Sequence, residues 1–327
     1  MAKSLEVLEL ERSLLELEDL HASFDYLRIS IASPTKIKSW AERALPSGEI
    51  VGEVTRPETI NFRTHQPEVY GLFCEKIFGP IKNWKCRCGK YNGFAVDTIC
   101  DDCQVEITEA RVRRYRMGYI ELTCPVMHNW YLKGTPSYIS ILLRPFDHAT
   151  VENVSMIVYL EKPKFPKTKD DLILREFAEK RNVHQLLQSQ TVEKSEKRKG
   201  SEIIKAALET LDLQVQIEKI RVQLACQAKL FAEEPQTKDK TLLRLRIFES
   251  FYATGTAPEW MILTTLPILP PNLRPLVELE SGRLVAADVN ELYRLIITRN
   301  QRLYDFLYRF VAPDLIGTQG RRLLQEG

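Results

Sequence analysis

The residues best suited to chemistry are four cysteines that fall within one short stretch. Cys86 and Cys88 form a Cys-x-Cys pair, and Cys100 and Cys103 form a Cys-x-x-Cys pair further along the chain. Two such pairs supply four thiolates, which is a ligand set that structural Zn²⁺ sites use. Four protein ligands leave no open position for a reactive water, so the pattern predicts one structural Zn²⁺ and no catalytic residue.

A disulfide pair or a group of free thiols is the alternative for these cysteines. Residues 1–20 are acidic with a helical pattern, and they match neither a secretory signal nor an Arg-rich transit peptide. This favours an intracellular chain, in which disulfides are rare and a metal site is the better interpretation. Cys74, Cys124 and Cys226 stand alone and are predicted to be buried small hydrophobic residues. His128 is predicted to be packed or hydrogen-bonded, because four thiolates are already available to a metal.

The charge of the chain limits how it can bind nucleic acid. Its 327 residues carry a formal net charge of only +2, so a nucleic-acid surface must come from local clustering of basic residues. One cluster contains Tyr115 and four arginines, which are Arg111, Arg113, Arg114 and Arg116. It predicts a phosphate-binding patch. The alternative is a solvated strand face whose arginines pair with Glu106, Glu109 and Glu121. No apolar run reaches the roughly 20 residues that a bilayer demands, so no membrane partner is expected.

Hydrophobic periodicity and proline positions outline the first elements. A helix is predicted over residues 4–23, followed by a strand that begins at Leu27. A short helix is predicted from Pro34 to about Leu45. The chain should then be extended and irregular up to Pro80, because its prolines block regular strand ladders.

The middle of the chain changes from alternating elements to charged ones. Strand-like runs and turns are predicted over residues 119–143, and a charged helical region over 161–241. One helix in this region should carry an apolar stripe that extends from Ile204 to Val222. Residues 233–240 are predicted to form a polar link.

The C-terminal part is predicted to form a helix, a stiff loop and a helical hairpin. A helix is expected from Leu242, and the proline-rich residues 267–275 cannot be helix or central strand. Asp288 and Glu291 form a capping-box pattern that starts a long helix. The apolar stripe of this helix consists of Val289, Leu292, Ile296, Leu303, Phe306 and Phe310. A returning helix is predicted only from Arg321, which is too short to cover the stripe, so a second polypeptide is expected to cover it.

Several segments, in this order, resemble the N-terminal part of the β′ subunit of multisubunit, bacterial-type DNA-directed RNA polymerase. They are GLFCEKIFGP (71–80), the CRCGKY…CDDC cluster, VRRYRMGYIEL (112–122), EWMILTTLPILPPNLRPLV (259–277) and DVNELYRLIITRNQRL (288–303). The resemblance covers residues 24–160 and 242–326, and no counterpart is assigned to 161–241. IKSWAERALPSGEIVGEV (37–54) and residues 113–139 are most similar to the plastid and cyanobacterial version, in which β′ is split and its front piece is called gamma.

The resemblance implies roles for particular segments. The four clustered cysteines would be the Zn²⁺ ligands of the β′ zinc-binding domain. Gly52–Arg63 resembles the zipper at the upstream edge of melted DNA, and residues 271–284 resemble the lid that parts RNA from template. Arg283, in the lid-like segment, joins the predicted nucleic-acid-binding residues. Residues 288–326 resemble the clamp-helix hairpin where sigma factor docks. The expected sigma-docking residues are Arg294, Arg299 and Arg302.

The resemblance also implies a non-catalytic role in a nucleotidyltransferase. The family's Asn-Ala-Asp-Phe-Asp-Gly-Asp loop, which holds the catalytic Mg²⁺, is not in this sequence, so another chain is expected to bind Mg²⁺. Implied partners are the remaining section of β′, the β and alpha subunits, sigma factor, DNA and RNA. The implied location is the plastid stroma, or the cytoplasm of a cyanobacterium.

Two other functional classes compete with the polymerase interpretation. The first is a free-standing zinc-ribbon protein that binds nucleic acid or scaffolds other proteins. The second is a metal-dependent hydrolase, which is disfavoured by the lack of an open-shell metal site and of a nucleophile–base pair. The gamma-type polypeptide of the family usually continues past the position of residue 327. We therefore expect a gene that is split a second time, in preference to a truncated chain.

The expected fold is mixed α+β and multi-lobed, with a small zinc-binding lobe built on the four cysteines. An irregular, loop-rich clamp region and a long C-terminal helix that opens a truncated helical hairpin complete it. The expected divisions are an N-terminal helical extension (1–26), a clamp base with a zipper-like segment (27–80), the zinc-binding lobe (81–118), clamp core (119–160), the charged helical insertion (161–241), clamp core with a lid-like loop (242–287) and the clamp-helix hairpin (288–327).

Overall fold

The computed structural model contains two compact units, residues 1–31 and 32–327. Its described residues are 29–61, 63–93, 98–143, 150–160, 199–226, 235–278, 284–309 and 313–327. In the first unit, residues 29–31 have no regular secondary structure, so the strand predicted from Leu27 is wrong over that part. The predicted helix over residues 4–23 lies outside the described residues.

The second unit is a mixed α/β structure, as predicted, with ten α-helices and four two-stranded antiparallel sheets among its described residues. The helices are α1 (Pro34–Ala41), α2 (Glu75–Phe78), α3 (Asn129–Lys133), α4 (Tyr138–Leu142), α5 (Val151–Val158), α6 (Ser201–Glu209), α7 (Leu213–Cys226), α8 (Pro235–Thr254), α9 (Asp288–Tyr308) and α10 (Pro313–Gln325). The strands, which pair consecutively, are β1 (Arg43–Ala44), β2 (Ile50–Val51), β3 (Thr98–Ile99), β4 (Glu106–Ile107), β5 (Gly118–Met127), β6 (Ile262–Ile268), β7 (Leu276–Glu278) and β8 (Leu284–Ala286). Short 3₁₀ helices span Ala110–Arg114, Pro258–Met261 and Pro271–Leu273. No helix in the described part is both long and apolar enough to cross a bilayer.

The first helix begins where the sequence predicts it. Ser33 Oγ accepts the N–H of Lys36 at 3.1 Å, and Pro34 occupies the first helical position, where its missing N–H costs nothing. The helix ends at Ala41, earlier than the predicted end near Leu45. The chain then forms the β1–β2 hairpin.

β5 and β6 form one sheet, and β5 confirms the strand-like run predicted from residue 119. After β5, the helices α3 and α4 replace the further runs and turns that were predicted up to residue 143. Pro267, predicted to lie in a stiff loop, sits in β6 opposite Tyr119. Tyr119 donates its N–H to Gly52 O at 3.0 Å and accepts the N–H of Val54 at 2.8 Å, on the side away from β6. Pro267 therefore needs no N–H at this position, which is how a strand tolerates proline.

The main apolar core joins residues 54–78, the β5–β6 sheet and one face of α9. From α9 this core takes Tyr293 and Ile297, which are 8% and 2% exposed. Leu292, predicted to lie on the apolar stripe, is 53% exposed. Val289 and Ile296 pack against this core as predicted, so only Leu292 of the predicted stripe is wrong in this part of the helix.

The start of α9 is at the predicted residue but has a different cause. Its N-cap is Ala287, which has no side-chain oxygen, so the predicted capping box of Asp288 with Glu291 is wrong. Both carboxylates lie in the first turn, where negative charge favours the helix dipole.

The middle region contains two helices where the sequence predicts one stripe. Asp212 Oδ1 accepts the N–H groups of Gln214 at 3.0 Å and Val215 at 3.2 Å, which starts α7 after a break. This break resets the helical phase, so Val215 and Val222 are exposed while Ile217 is buried. The predicted polar link is also wrong from residue 235 onward, where α8 begins.

The returning helix of the hairpin is longer than predicted. α10 starts at Pro313 instead of Arg321, and the glycines that suggested a link lie within it. A Cβ on Gly320 would lie only 2.9 Å from Leu303 Cδ1, so the absence of a side chain lets the two helices approach closely. Leu303 is fully buried against Leu324 and Cys124. A second polypeptide is therefore not needed to cover Leu303, which corrects the prediction; Phe310 lies outside the described residues.

Arg274 lies at the centre of the unit and is fully buried. Its guanidinium donates to Leu269 O at 2.9 Å, Asn290 Oδ1 at 2.9 Å and Leu72 O at 2.5 Å. Asn290 in turn donates to Arg274 O at 3.0 Å. Burial lowers the pKa of Arg274 to about 10, which leaves the side chain cationic at neutral pH.

We expect Arg274→Met to destabilise the fold by at least about 3 kcal/mol, because it leaves several buried acceptors without a donor. Arg302→Met is the matched control: Arg302 is exposed on α9, and its loss should change stability by less than about 0.5 kcal/mol. Chemical denaturation of the two variants measures the difference. Equal midpoints would contradict the assigned role.

Candidate metal centre and nucleic-acid interface

The four predicted ligands come together in space. Their Sγ atoms all lie within 4.8 Å of one another, and within the described residues they are the only group of three or more candidate ligands that does so. Cys88 Sγ lies 3.4 Å from Cys86 Sγ and 3.5 Å from Cys100 Sγ. Sulfurs placed tetrahedrally at about 2.3 Å from one ion would be about 3.8 Å apart. The sulfur separations fit a four-coordinate metal site.

Two tight turns present these sulfurs. In the first turn, Gly89 donates its N–H to Cys86 O at 3.2 Å, and Tyr91 donates to Cys86 Sγ at 3.2 Å. Gly89 has a φ of +79°, in the region that glycine adopts without strain. In the second turn, which connects β3 to β4, Gln104 donates to Cys100 O at 2.8 Å. Backbone geometry, not side-chain packing alone, therefore sets the sulfur positions.

The electrostatics of the cluster favour a cation among the sulfurs. The backbone N–H of Lys90 lowers the pKa of Cys88, but its neighbours Cys86, Cys100 and Cys103, together with desolvation, raise the pKa more strongly, to about 12. Hydrogen bonds with these cysteines favour the protonated thiol, whereas a bound divalent ion would stabilise the thiolate form. The donor set therefore fits a thiophilic metal ion.

Among the described residues, the remaining cysteines and His128 lie outside this cluster. Cys74 and Cys124 are buried as predicted, whereas Cys226 is exposed on α7, so its predicted burial is wrong. His128 Nδ1 accepts the N–H of Trp130 at 3.1 Å, and burial lowers the pKa of the imidazole. The prediction that His128 is a hydrogen-bonded residue is therefore confirmed.

Glu106 connects the cysteine-rich segment, residues 84–107, to the rest of the unit. Arg43 Nη1 donates to Glu106 Oε2 at 3.0 Å, and Arg116 Nη1 lies 2.6 Å from the same oxygen without hydrogen-bond alignment. Burial, and secondly the charge of Arg116, lower the pKa of Arg43 to about 10. The sequence suggested Glu106 as a partner for nearby arginines. The sequence gave no sign that Arg43 would be a partner, because Arg43 lies 63 positions from Glu106.

The predicted arginine patch is divided between the interior and the surface. Its segment is a 3₁₀ helix, not the strand face of the alternative interpretation. Arg113 is only 6% exposed and donates to Gly79 O at 2.7 Å and Phe73 O at 3.1 Å. These contacts remove Arg113 from the predicted phosphate-binding surface. Arg116 is largely buried beside Glu106.

Two arginines of the patch remain at the surface. Arg111 pairs with Glu109 at 2.7 Å while its side chain stays 75% exposed, and Arg114 is exposed. The described part of the predicted phosphate-binding surface is thereby reduced to these two side chains. Arg283, the fifth predicted residue, lies outside the described residues.

The three predicted sigma-docking arginines have different surroundings on α9. Arg294 donates to Glu291 at 2.7 Å, and Arg299 donates to Leu323 O of α10 at 2.8 Å. Arg302 is exposed, and no side-chain partner for it is found in the part of the chain that the structure describes. Arg302 therefore has the guanidinium most available to another molecule.

We expect the purified chain to hold about one equivalent of metal, and Cys86→Ser with Cys100→Ser to lose it together with the local fold. The reason is that metal binding and folding are coupled when ligands come from separate turns. Metal analysis of the purified protein measures the content. Cys226→Ser, at an exposed cysteine outside the cluster, should keep the metal; a double variant that kept it would show that other residues bind it.

Comparison with known proteins identifies the family of the chain. The sequence model of a family described as RNA polymerase Rpb1, domain 1, matches residues 21–327. This range begins before and ends after residues 161–241, for which the sequence analysis assigned no counterpart.

The curated relatives carry the names of polymerase subunits. The chain is 47% identical over 313 residues to the DNA-directed RNA polymerase subunit beta′ of Gracilaria tenuistipitata var. liui, covering 93% of this chain and 49% of that protein. It is 46% identical over 311 residues to the subunit beta′ of Cyanophora paradoxa, covering 93% and 48%. It is 43% identical over 315 residues to the subunit gamma of Thermosynechococcus vestitus, covering 94% and 49%. The chain thus spans about half the length of the curated relatives it matches, and it belongs to the RNA polymerase Rpb1, domain 1, family.

Proposed function

We propose that this chain is a non-catalytic section of the largest (β′, gamma-type) subunit of a DNA-directed RNA polymerase. In this role it forms part of the clamp that holds DNA and the RNA–DNA hybrid. The observation that carries the proposal is that the converging cysteine cluster lies inside the range that matches the family. The names of the relatives favour this function over the alternative of a free-standing zinc-ribbon protein.

The metal we assign to the cysteine cluster is one structural Zn²⁺, held by Cys86, Cys88, Cys100 and Cys103. Four soft sulfur ligands that lie within 4.8 Å of one another suit Zn²⁺, and they leave no position for a reacting water. Zinc here would stabilise a small zinc-binding lobe and contribute no chemical step. The catalytic Mg²⁺ of the polymerase would be bound by another chain.

The nucleic-acid interface that we propose uses the exposed arginines next to this lobe. The exposed side chains of Arg111 and Arg114 can reach phosphates. Arg113 binds a backbone carbonyl and Arg116 pairs with Glu106, so these two arginines hold the segment in place. Binding through phosphates would be independent of sequence and sensitive to salt. Arg283, in the lid-like segment, is proposed as a further contact.

The α9–α10 hairpin is proposed as the docking element for a sigma factor. Arg302 would make the direct contact, while Arg294 and Arg299 are engaged within the hairpin by Glu291 and the backbone of Leu323. The remaining section of β′, the β subunit and the alpha subunits are the other proposed partners. Because the relatives come from algae and cyanobacteria, we propose the plastid stroma or the cyanobacterial cytoplasm as the location.

We expect Arg111→Glu with Arg114→Glu to weaken DNA binding and to reduce the salt slope by about two, because each lost phosphate contact removes about 0.9 from that slope. Titrations of the assembled enzyme with DNA at several salt concentrations measure it. Lys238→Glu with Arg246→Glu, a matched double charge reversal at exposed positions of α8, should leave the slope unchanged. An unchanged salt slope in Arg111→Glu with Arg114→Glu would favour the alternative, in which these arginines are solvated and bind no phosphate.

We expect RNA synthesis from a promoter to depend on this chain when a polymerase is assembled from its separate subunits. In the same assembly, Arg302→Glu should weaken sigma binding by roughly fivefold or more, because the reversal replaces an attraction by a repulsion. Arg246→Glu is the control for charge. Sigma-dependent synthesis in the absence of this chain would contradict the proposed function, and unchanged sigma affinity would contradict the docking site alone.

A further inference from the structure

The outer edge of β5 is not paired with another strand among the described residues, beyond a single bridge at its start. There, Tyr119 N–H and C=O bond to Gly52 and Val54. The backbone groups further along this edge need other partners, because a buried N–H or C=O without a hydrogen bond destabilises the fold. Two side-chain amides from the helical hairpin supply them.

The first amide is Asn300, near the middle of α9. Its Oδ1 accepts the N–H of Thr123 at 2.8 Å, and its Nδ2 donates to Glu121 O at 2.8 Å. A residue of a neighbouring parallel strand would bond to the same two groups, one on each side of the residue it faces. The carboxamide of Asn300 therefore takes the place of one residue of a parallel strand.

The second amide is Gln325, at the end of α10. Its Oε1 accepts the N–H of Met127 at 2.8 Å, and its Nε2 donates to Met127 O at 2.8 Å. Pro125, between the two bonded positions, has no N–H that needs an acceptor. Ser201 Oγ, from α6, donates to the same Oε1 at 3.1 Å, so the middle region also reaches this junction.

We propose that Asn300 and Gln325 are positioning residues that fix the register of the helical hairpin along β5. Between the helices, the apolar contact of Leu303 and Leu324 with Cys124 supplies attraction, but apolar burial has no direction and does not set a register. Each amide both donates and accepts, so each binds one position of the strand specifically. Two such pairs of hydrogen bonds, one pair from each helix, hold the hairpin at two points of the sheet.

The position of the hairpin on β5 is inferred from contacts within the chain. That this position presents Arg302 to a partner rests on the proposed function.

The first test is hydrogen exchange of individual amides in the full chain. Asn300→Ala should speed exchange of the Thr123 amide roughly tenfold or more and leave that of Met127 unchanged. Gln325→Ala should speed exchange of the Met127 amide and leave that of Thr123 unchanged. Asn300→Asp should restore protection at Thr123, because a carboxylate still accepts that N–H. Asn272→Ala and Gln319→Ala, at exposed positions, should change neither amide.

The second test detects displacement of the hairpin through the reactivity of Cys124, which is 5% exposed beneath Leu303 and Leu324. Asn300→Ala combined with Gln325→Ala should raise its rate of labelling by a thiol reagent roughly tenfold or more, as mapped by peptide. Cys74, buried in the main core, should keep its rate. Unchanged rates at Thr123, Met127 and Cys124, or a parallel rise at Cys74, would overturn the proposal. Neither test involves sigma factor, so both are independent of the proposed function.

Discussion

The fold depends on three arginines that bind the backbone carbonyl groups of one segment, Leu72–Gly79. This segment contains the four-residue helix α2, which is too short to satisfy its own C=O groups. Arg274 donates to the carbonyl of Leu72, and Arg113 to those of Phe73 and Gly79. Arg43, which is half-buried, donates to the carbonyls of the two residues Lys76 and Ile77. Because each arginine comes from a different part of the chain, the segment joins β1, the 3₁₀ helix Ala110–Arg114 and the loop before β7.

Removal of three guanidinium groups from water costs free energy. The structure offsets this cost without pairing every one of these arginines with a carboxylate. The pKa values of Arg43, Arg113 and Arg274 are all lowered to about 10, with burial as the first cause in every case. All three remain charged at neutral pH, so their hydrogen bonds to carbonyl oxygens are charge-assisted and strong. Arg274 also lies over the rings of Phe73 and Tyr293, at 4.9 Å and 5.7 Å, which adds cation–π attraction. Loss of one arginine would leave acceptors unsatisfied in a segment that the other two still hold.

Local signals in the sequence were sufficient for the cysteine cluster and for the start of α1. The cysteine spacing identified all four members of the cluster, because a Cys-x-x-Cys turn brings its own sulfurs together. Ser33 and Pro34 marked the start of α1 for similarly local reasons. The arginines could not be sorted by local pattern. Arg113 and Arg114 are adjacent in sequence, and only packing against residues 73–79 decides that the first is buried.

The hairpin shows the same limit of local reasoning. Gly317 and Gly320 lower helix propensity by about 1 kcal/mol each in isolation, which argues for a link. Contact with Leu303 and Leu307 overrides that preference, because only glycine leaves room for the leucine side chains. Asn300 and Gln325 likewise look like ordinary surface amides, and their bonds to β5 span 177 to 198 positions of sequence. Such residues become visible only when the strand and both helices are placed together.

These observations share one physical cause, which is the small size of the sheets and of α2. Every sheet among the described residues has two strands, and a two-stranded sheet is marginal in water because half of its backbone groups lack a strand partner. In this chain, Asn300 and Gln325 take the place of a missing strand at β5. Arginines likewise bind the carbonyl groups of Leu72–Gly79 that the short helix α2 leaves without a partner. A side chain that bonds to a backbone specifies a single position, whereas an apolar surface tolerates sliding. A loop-rich unit can therefore hold the cysteine cluster and the helical hairpin in fixed places without an extended sheet between them.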